Sequence, residues 1–148
     1  MKALLQRVST ASVTVDGREV SRIGRGLLIF LGVINEDGES EVAKLAKKCA
    51  ELRIFTDSEG KMNLSAMDIT GEALVVSQFT LAANCAKGRR PSFEHAANPD
   101  IANGFYEKFC DALTALGVPV KRGIFAAHMD VALVNDGPVT ILLDTNEI

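Results

Sequence analysis

Leu27-Leu28-Ile29-Phe30-Leu31-Gly32-Val33 is the stretch on which the fold depends. It is too short for a helix of ordinary length and shows no polar position on either face. Gly24 and Gly26 bound it on one side and Asn35 on the other, so it reads as a strand buried on both faces. A strand of that kind needs covering layers above and below.

The segments upstream supply more sheet. Ala3–Val8 and Ser12–Val15 alternate in part and carry β-branched residues, Asp16-Gly17 is a hairpin signal, and Arg18–Ile23 is the returning strand. Downstream the period changes. Val42, Leu45, Ala46, Cys49 and Leu52 form one helical stripe, with Lys44, Lys47, Lys48 and Glu51 on the wet side and Asp37, Glu39 and Glu41 at the acidic start. A second helix opens with Pro99 after Asn98, carries Ile101, Phe105, Phe109, Ala112, Leu113 and Leu116 on one face, and stops at Gly117. Ala73–Leu81 reads as a strand and Ala82–Ser92 as a loop. Val118–Lys121, Asp130–Val134 and Val139–Leu143 read as strands, the last two flanking a tight-turn signature, Asn135-Asp136-Gly137-Pro138. This order predicts an α+β fold: a largely antiparallel, curled, barrel-like β core with two packed helices, in one domain spanning 1–148.

Composition narrows the class of protein. The chain has 148 residues, 47% hydrophobic and 24% charged, with 12 Gly and 4 Pro, which excludes collagen-like and low-complexity readings. Its longest apolar run, Leu27–Ile34, falls far short of the ~20 residues that span a bilayer. Gln6-Arg7 interrupts the N-terminal apolar residues too early for a signal peptide. Cys49, Cys85 and Cys110 include no C-x-x-C pair and no histidine at metal spacing, so neither zinc nor a disulfide framework is expected, and no metal or cofactor is called for. A reducing, cytoplasmic setting fits. The net charge of −3 argues against coating nucleic acid by overall charge, although Lys87-Gly88-Arg89-Arg90 and Lys121-Arg122 are local basic clusters.

Most catalytic templates are missing: there is no G-x-S-x-G elbow, Walker loop or H-E-x-x-H. His95 beside Glu94 and His128 near Asp130 read more simply as surface residues than as bases, Cys49 as a core residue, and Cys85 lacks an assigned base. Two segments stand out. Leu74-Val75-Val76 runs straight into Ser77-Gln78-Phe79-Thr80, so a rigid strand delivers hydroxyls, an amide and backbone donors to a loop. The other is Gly137-Pro138, which by itself reads as an ordinary turn with a trans bond.

Together, Ser77-Gln78-Phe79-Thr80-Leu81 and Asn135-Asp136-Gly137-Pro138-Val139-Thr140 resemble the two signature motifs of the D-aminoacyl-tRNA deacylases. The likeness runs along the chain through Leu5-Gln6-Arg7-Val8, Gly60-Lys61-Met62-Asn63-Leu64, Arg90-Pro91-Ser92-Phe93, and Phe125-Ala126-Ala127 with Met129. The resemblance implies hydrolysis of the ester of D-aminoacyl-tRNAs and of mischarged glycyl-tRNA, as chiral proofreading in translation. It implies a homodimer with active sites at the subunit interface, in which a cis Gly137-Pro138 reaches into the partner's pocket beside Ser77, Gln78, Phe79 and Thr80. The dipeptide would hold the α-amino group and meet an L side chain as a wall, with Arg7 bracing it and Phe125, Ala127 and Met129 completing the substrate-binding gate.

For the chemistry, the backbone N–H groups of Phe79 and Thr80 suit a developing oxyanion. Thr80 as nucleophile has no base assigned to it, which favours water activated by the terminal 2′-OH of the tRNA. Lys87, Arg89 and Arg90 are expected to meet tRNA phosphates. His128 stands where the family commonly has an acid, and Ala82–Ala86 also departs from its pattern. The readings from other classes are a non-catalytic tRNA-end-binding dimer and a general small-ester hydrolase.

Overall fold

A computed structural model describes residues 1–148. The elements in chain order are β1 (Lys2–Val15), β2 (Arg18–Ile23), β3 (Gly26–Gly32), α1 (Glu39–Glu51), β4 (Phe55–Thr56), β5 (Met62–Leu64), β6 (Glu72–Ser77), a 3-10 turn (Phe79–Ala82), α2 (Pro99–Ala115), β7 (Val120–Arg122) and β8 (Asp130–Asp144). Six strands make one sheet in the order β2-β1-β3-β6-β7, with β8 along the other side of β1. The sheet curls until β2 approaches β6 and β7, giving a nearly closed barrel with both helices packed outside.

The apolar run that opens the reading is β3, and its alternate residues do serve two cores. Leu27, Ile29 and Leu31 face the helices and pack with Leu45, Phe109 and Leu113, while Leu28 faces inward with Val8, Ile23, Leu74 and Val76. The Asp16-Gly17 hairpin forms as expected, with φ of 50° and 75° at its two central residues.

The sheet is mixed, which corrects the largely antiparallel expectation. β1 pairs antiparallel with β2, β3 and β8, but β3–β6 and β6–β7 are parallel. Each parallel pair is joined by a crossover that contains a helix, α1 before β6 and α2 before β7, as parallel pairing requires. Gly26 exists for the first of these contacts: a Cβ there would lie 1.9 Å from the Glu72 carbonyl oxygen.

Several boundaries also move. Ala3–Val8 and Ser12–Val15 are one strand, because β8 accompanies β1 through the gap between them. Asp130–Val134 and Val139–Leu143 are likewise one strand, and Asn135–Pro138 is a bulge within it, not a turn. The register jumps from Gln6↔Thr140 to Val8↔Asn135. The Asn135 side chain bridges the gap, its Nδ2 donating to the Arg7 carbonyl at 2.9 Å and the Val139 carbonyl at 3.0 Å.

β6 ends at Ser77, not Leu81, and the chain continues as the 3-10 turn. On α2 the buried face is Ala102, Tyr106, Phe109, Cys110 and Leu113, one position off the aliphatic stripe, and Ile101 is 57% exposed. That face packs on α1 and β7 partly through small and polar-tipped residues, with Tyr106 alone bonding to β6, so a count of large aliphatics misplaces it. β4 and β5 pair antiparallel as a short separate hairpin. No helix is long and apolar enough to cross a membrane.

Candidate active site

At the carboxyl end of β6 a cavity of about 660 Å³ opens between the sheet, the start of α2 and the Phe125–Val131 segment. Of its 19 lining residues 14 are hydrophobic, and Ser77, Gln78 and Phe79 enter it from the strand end. Ser77 is held by pairing with Leu31, and the Gln78 N–H donates to the Leu31 carbonyl at 2.8 Å. The following turn is closed by Leu81 N–H on Gln78 O and Ala83 N–H on Thr80 O. Phe79 and Thr80 therefore carry the first-turn N–H groups, which have no acceptor within the turn.

Phe79 is 57% exposed at the mouth and meets Phe93 edge-on at 5.0 Å. Gly32 allows the turn to lie close, since a Cβ there would come within 2.9 Å of the Leu81 Cβ.

Across the cavity stand Phe125, Ala127 and Met129, with Ala126 between them at φ 60°. The Met129 sulfur rests where a Cβ on Gly123 would be 2.7 Å away. The floor includes Tyr106, whose buried hydroxyl donates to the Val75 carbonyl at 2.8 Å and whose ring lies 6.1 Å from that of Phe125. Burial raises the Tyr106 pKa, so its phenol stays protonated. Tyr106 escaped the sequence reading, although a lone tyrosine among apolar helix positions implies a buried partner for its hydroxyl. His128 is on the rim, its Nε2 3.8 Å from Asp130 Oδ1.

Thr80 is exposed and outside the cavity lining; its hydroxyl accepts a hydrogen bond from the Gln78 side-chain amide. No basic residue bonds to it. Lys87, Arg89 and Arg90 lie on an exposed segment between the 3-10 turn and Phe93 and make no ion pair. Arg122, by contrast, is bound to Asp111.

Gly137, Pro138 and Arg7 are elsewhere on the chain. The Gly137–Pro138 bond is cis. Arg7 is almost fully buried; its Nη1 donates to Ile54 O at 2.6 Å, and its Nη2 reaches Gly137 O at 3.4 Å. Ser77 pairs with Leu31, Leu31 with Ala3, and Ala3 with Leu143, whereas Gly137 sits beside Arg7, further along β1. With strands about 4.8 Å apart and residues about 3.3 Å apart, the two motifs are roughly 20 Å distant along the sheet. One chain does not bring them together.

Comparison with known proteins agrees with this architecture. Residues 4–144 match the family model described as D-Tyr-tRNA(Tyr) deacylase. The chain is similar to a D-aminoacyl-tRNA deacylase of Thermomicrobium roseum, 60% identical over 100% of this chain and 96% of that one. It is also similar to one from Geobacter sulfurreducens, 58% identical over 98% and 95%. Among solved structures, one named c-Myc DNA Unwinding Element Binding Protein superposes with a TM-score of 0.92 at 44% identity, covering 97% of this chain and 98% of that one. A probable eukaryotic D-amino acid tRNA deacylase shares the fold, with a TM-score of 0.81 at 18% identity over 96% and 97%. The chain belongs to the D-Tyr-tRNA(Tyr) deacylase family.

Proposed function

We propose that the chain hydrolyses the ester bond of D-aminoacyl-tRNAs and of mischarged glycyl-tRNA, releasing free amino acid and tRNA, and spares L-aminoacyl-tRNA. Membership of the family supports the ester hydrolysis. The observation that carries the rest is the separation of the two motifs within one chain. Gly137 and Pro138 are exposed on β8, far from the Ser77–Phe79 cavity that the gate must face. Only β1 pairs with β8, so its outer edge is free, and Val134 and Leu142 on it are exposed. A second copy docked along that face delivers its Gly137-Pro138 to the cavity.

In that arrangement the dipeptide holds the α-amino group and blocks an L side chain, while a D side chain points away and glycine has none. The first-turn N–H groups of Phe79 and Thr80 take the oxyanion that develops on the ester carbonyl. Since Thr80 bonds only to an amide, its hydroxyl is not activated as a nucleophile. Water assisted by the tRNA 2′-OH makes the attack, and the protein positions, excludes and stabilises. Lys87, Arg89 and Arg90 hold phosphates of the acceptor end.

The deciding experiment is a deacylation time course on D-tyrosyl-, L-tyrosyl- and glycyl-tRNA at equal enzyme. Rapid loss of the D and glycyl esters with the L ester spared is expected. Equal loss of D and L removes the gate. No loss of any ester from a folded dimer that binds tRNA turns the reading to a tRNA-end-binding module.

A further inference from the structure

The Val75 carbonyl oxygen accepts two hydrogen bonds, from the Tyr106 hydroxyl at 2.8 Å and from the Gly123 N–H at 3.0 Å. Val75 is also the last residue of β6 to pair with β7, opposite Arg122. Beyond it Val76 and Ser77 keep only their β3 partners, Phe30 and Leu31. The strand that delivers Ser77, Gln78 and Phe79 thus loses one neighbour just before the cavity, and Val75 O is its last anchorage on that side. The two donors come from the far wall and the floor of the cavity: Gly123 begins the segment that carries Phe125, Ala127 and Met129, and Tyr106 projects from α2 and packs against Phe125.

We infer that the Tyr106 hydroxyl is a positioning group that sets the distance between the Ser77–Thr80 turn and the Phe125–Met129 wall. This rests on the proposed ester hydrolysis and adds a residue to it. Tyr106 touches no reacting atom. It acts through Val75, two residues before Ser77, and through the ring of Phe125. A bound ester needs its carbonyl within hydrogen-bond reach of the turn N–H groups, and misplacement by about 1 Å costs on the order of 100-fold in rate. A tie of this kind is therefore read in turnover more than in binding.

The test is Tyr106→Phe, which keeps the ring packing and leaves Val75 O bonded to Gly123. With D-tyrosyl-tRNA, far below the unfolding temperature, kcat is expected to fall about tenfold while KM stays within about twofold. Gly123→Ala serves as the contrast: it keeps the N–H on the Val75 carbonyl but pushes the flexible Met129 side chain of the cavity wall, so a raised KM is expected there. The chain has one tyrosine and no tryptophan, so near-UV circular dichroism reports the packing of Tyr106 in Gly123→Ala directly.

Wild-type kcat in Tyr106→Phe overturns the inference, and so does a raised KM at unchanged kcat in that variant. Wild-type protein inactive on D-tyrosyl-tRNA would instead sink the proposed function, an outcome distinct from these.

Discussion

Arg7 Nε and the Asp136 carbonyl oxygen are 3.0 Å apart, which ties the buried middle of β1 to the bulge of β8. The same guanidinium also pairs with the Asp136 carboxylate and caps the Ile54 carbonyl. Arg7→Met leaves those acceptors unpaired and should cost about 2–4 kcal/mol in urea unfolding, with loss of turnover. Arg7→Lys keeps the charge but not the fork, and less than half of the loss should be recovered.

Thr70 closes the turn after β5 with φ 53°, a conformation β-branched residues rarely adopt. Gly71 N–H bonds to Ala66 O and Thr70 N–H to Met67 O, the pattern of a helix end that favours glycine at this position. Thr70→Gly should stabilise the protein by about 1 kcal/mol, raising Tm by about 3 °C for a chain of this size. A thermal melt at fixed protein concentration checks it.

Stability should fall at both ends of the pH scale for identifiable reasons. Asp68 accepts from the Ser65 N–H at 2.8 Å and the Ser65 hydroxyl at 2.7 Å, which hold its carboxyl below the usual range. Its contribution is complete above about pH 3.9 and is lost as pH falls through the lower folded value. Burial pushes the Cys110 thiol up to about 11, so its contribution is complete below about pH 8.5 and is lost as pH rises from there to the folded value. Urea midpoints against pH should show a shallower acid limb in Asp68→Asn and a shallower alkaline limb in Cys110→Ala.

Thiol reactivity should separate the three cysteines. Cys85 is exposed, whereas Cys49 and Cys110 are buried with raised pKa. Iodoacetamide at pH 8 should label Cys85 alone in the native protein and all three in urea, read by mass spectrometry.

If Arg89 and Arg90 meet phosphates, Arg89→Ala combined with Arg90→Ala should reduce the salt slope of tRNA binding by about 1.5, at roughly 0.7–0.9 per contact. An unchanged slope removes these two from the contact set.

The sequence made the core strand legible because β3 is apolar on both faces, and α1 legible because its stripe and acidic start agree. Three features were not. Parallel pairing of β6 with β3 depends on which strand the α1 crossover returns beside, and no local pattern encodes that. The Asn135–Pro138 bulge carries the same residues as a turn; only the Asn135 bonds to β1 and the continuing ladder distinguish them. The α2 face was misplaced because its contacts are made by Ala102, Tyr106 and Cys110, residues that hydropathy alone ranks below Ile101 and Leu116. The Ser77 and Gly137 motifs were legible as motifs, but their distance apart belongs to the register of four strands.

That distance has a genetic counterpart. Consider one inactive allele altered in the Ser77–Thr80 turn and a second inactive allele altered at Gly137-Pro138. If a second copy completes each site, as proposed, each homodimer would be dead at both sites. In a mixed dimer one site receives both lesions and the other receives neither, so random pairing restores about a quarter of the wild-type sites. Two null alleles would then rescue one another in the same cell, although neither supports activity alone.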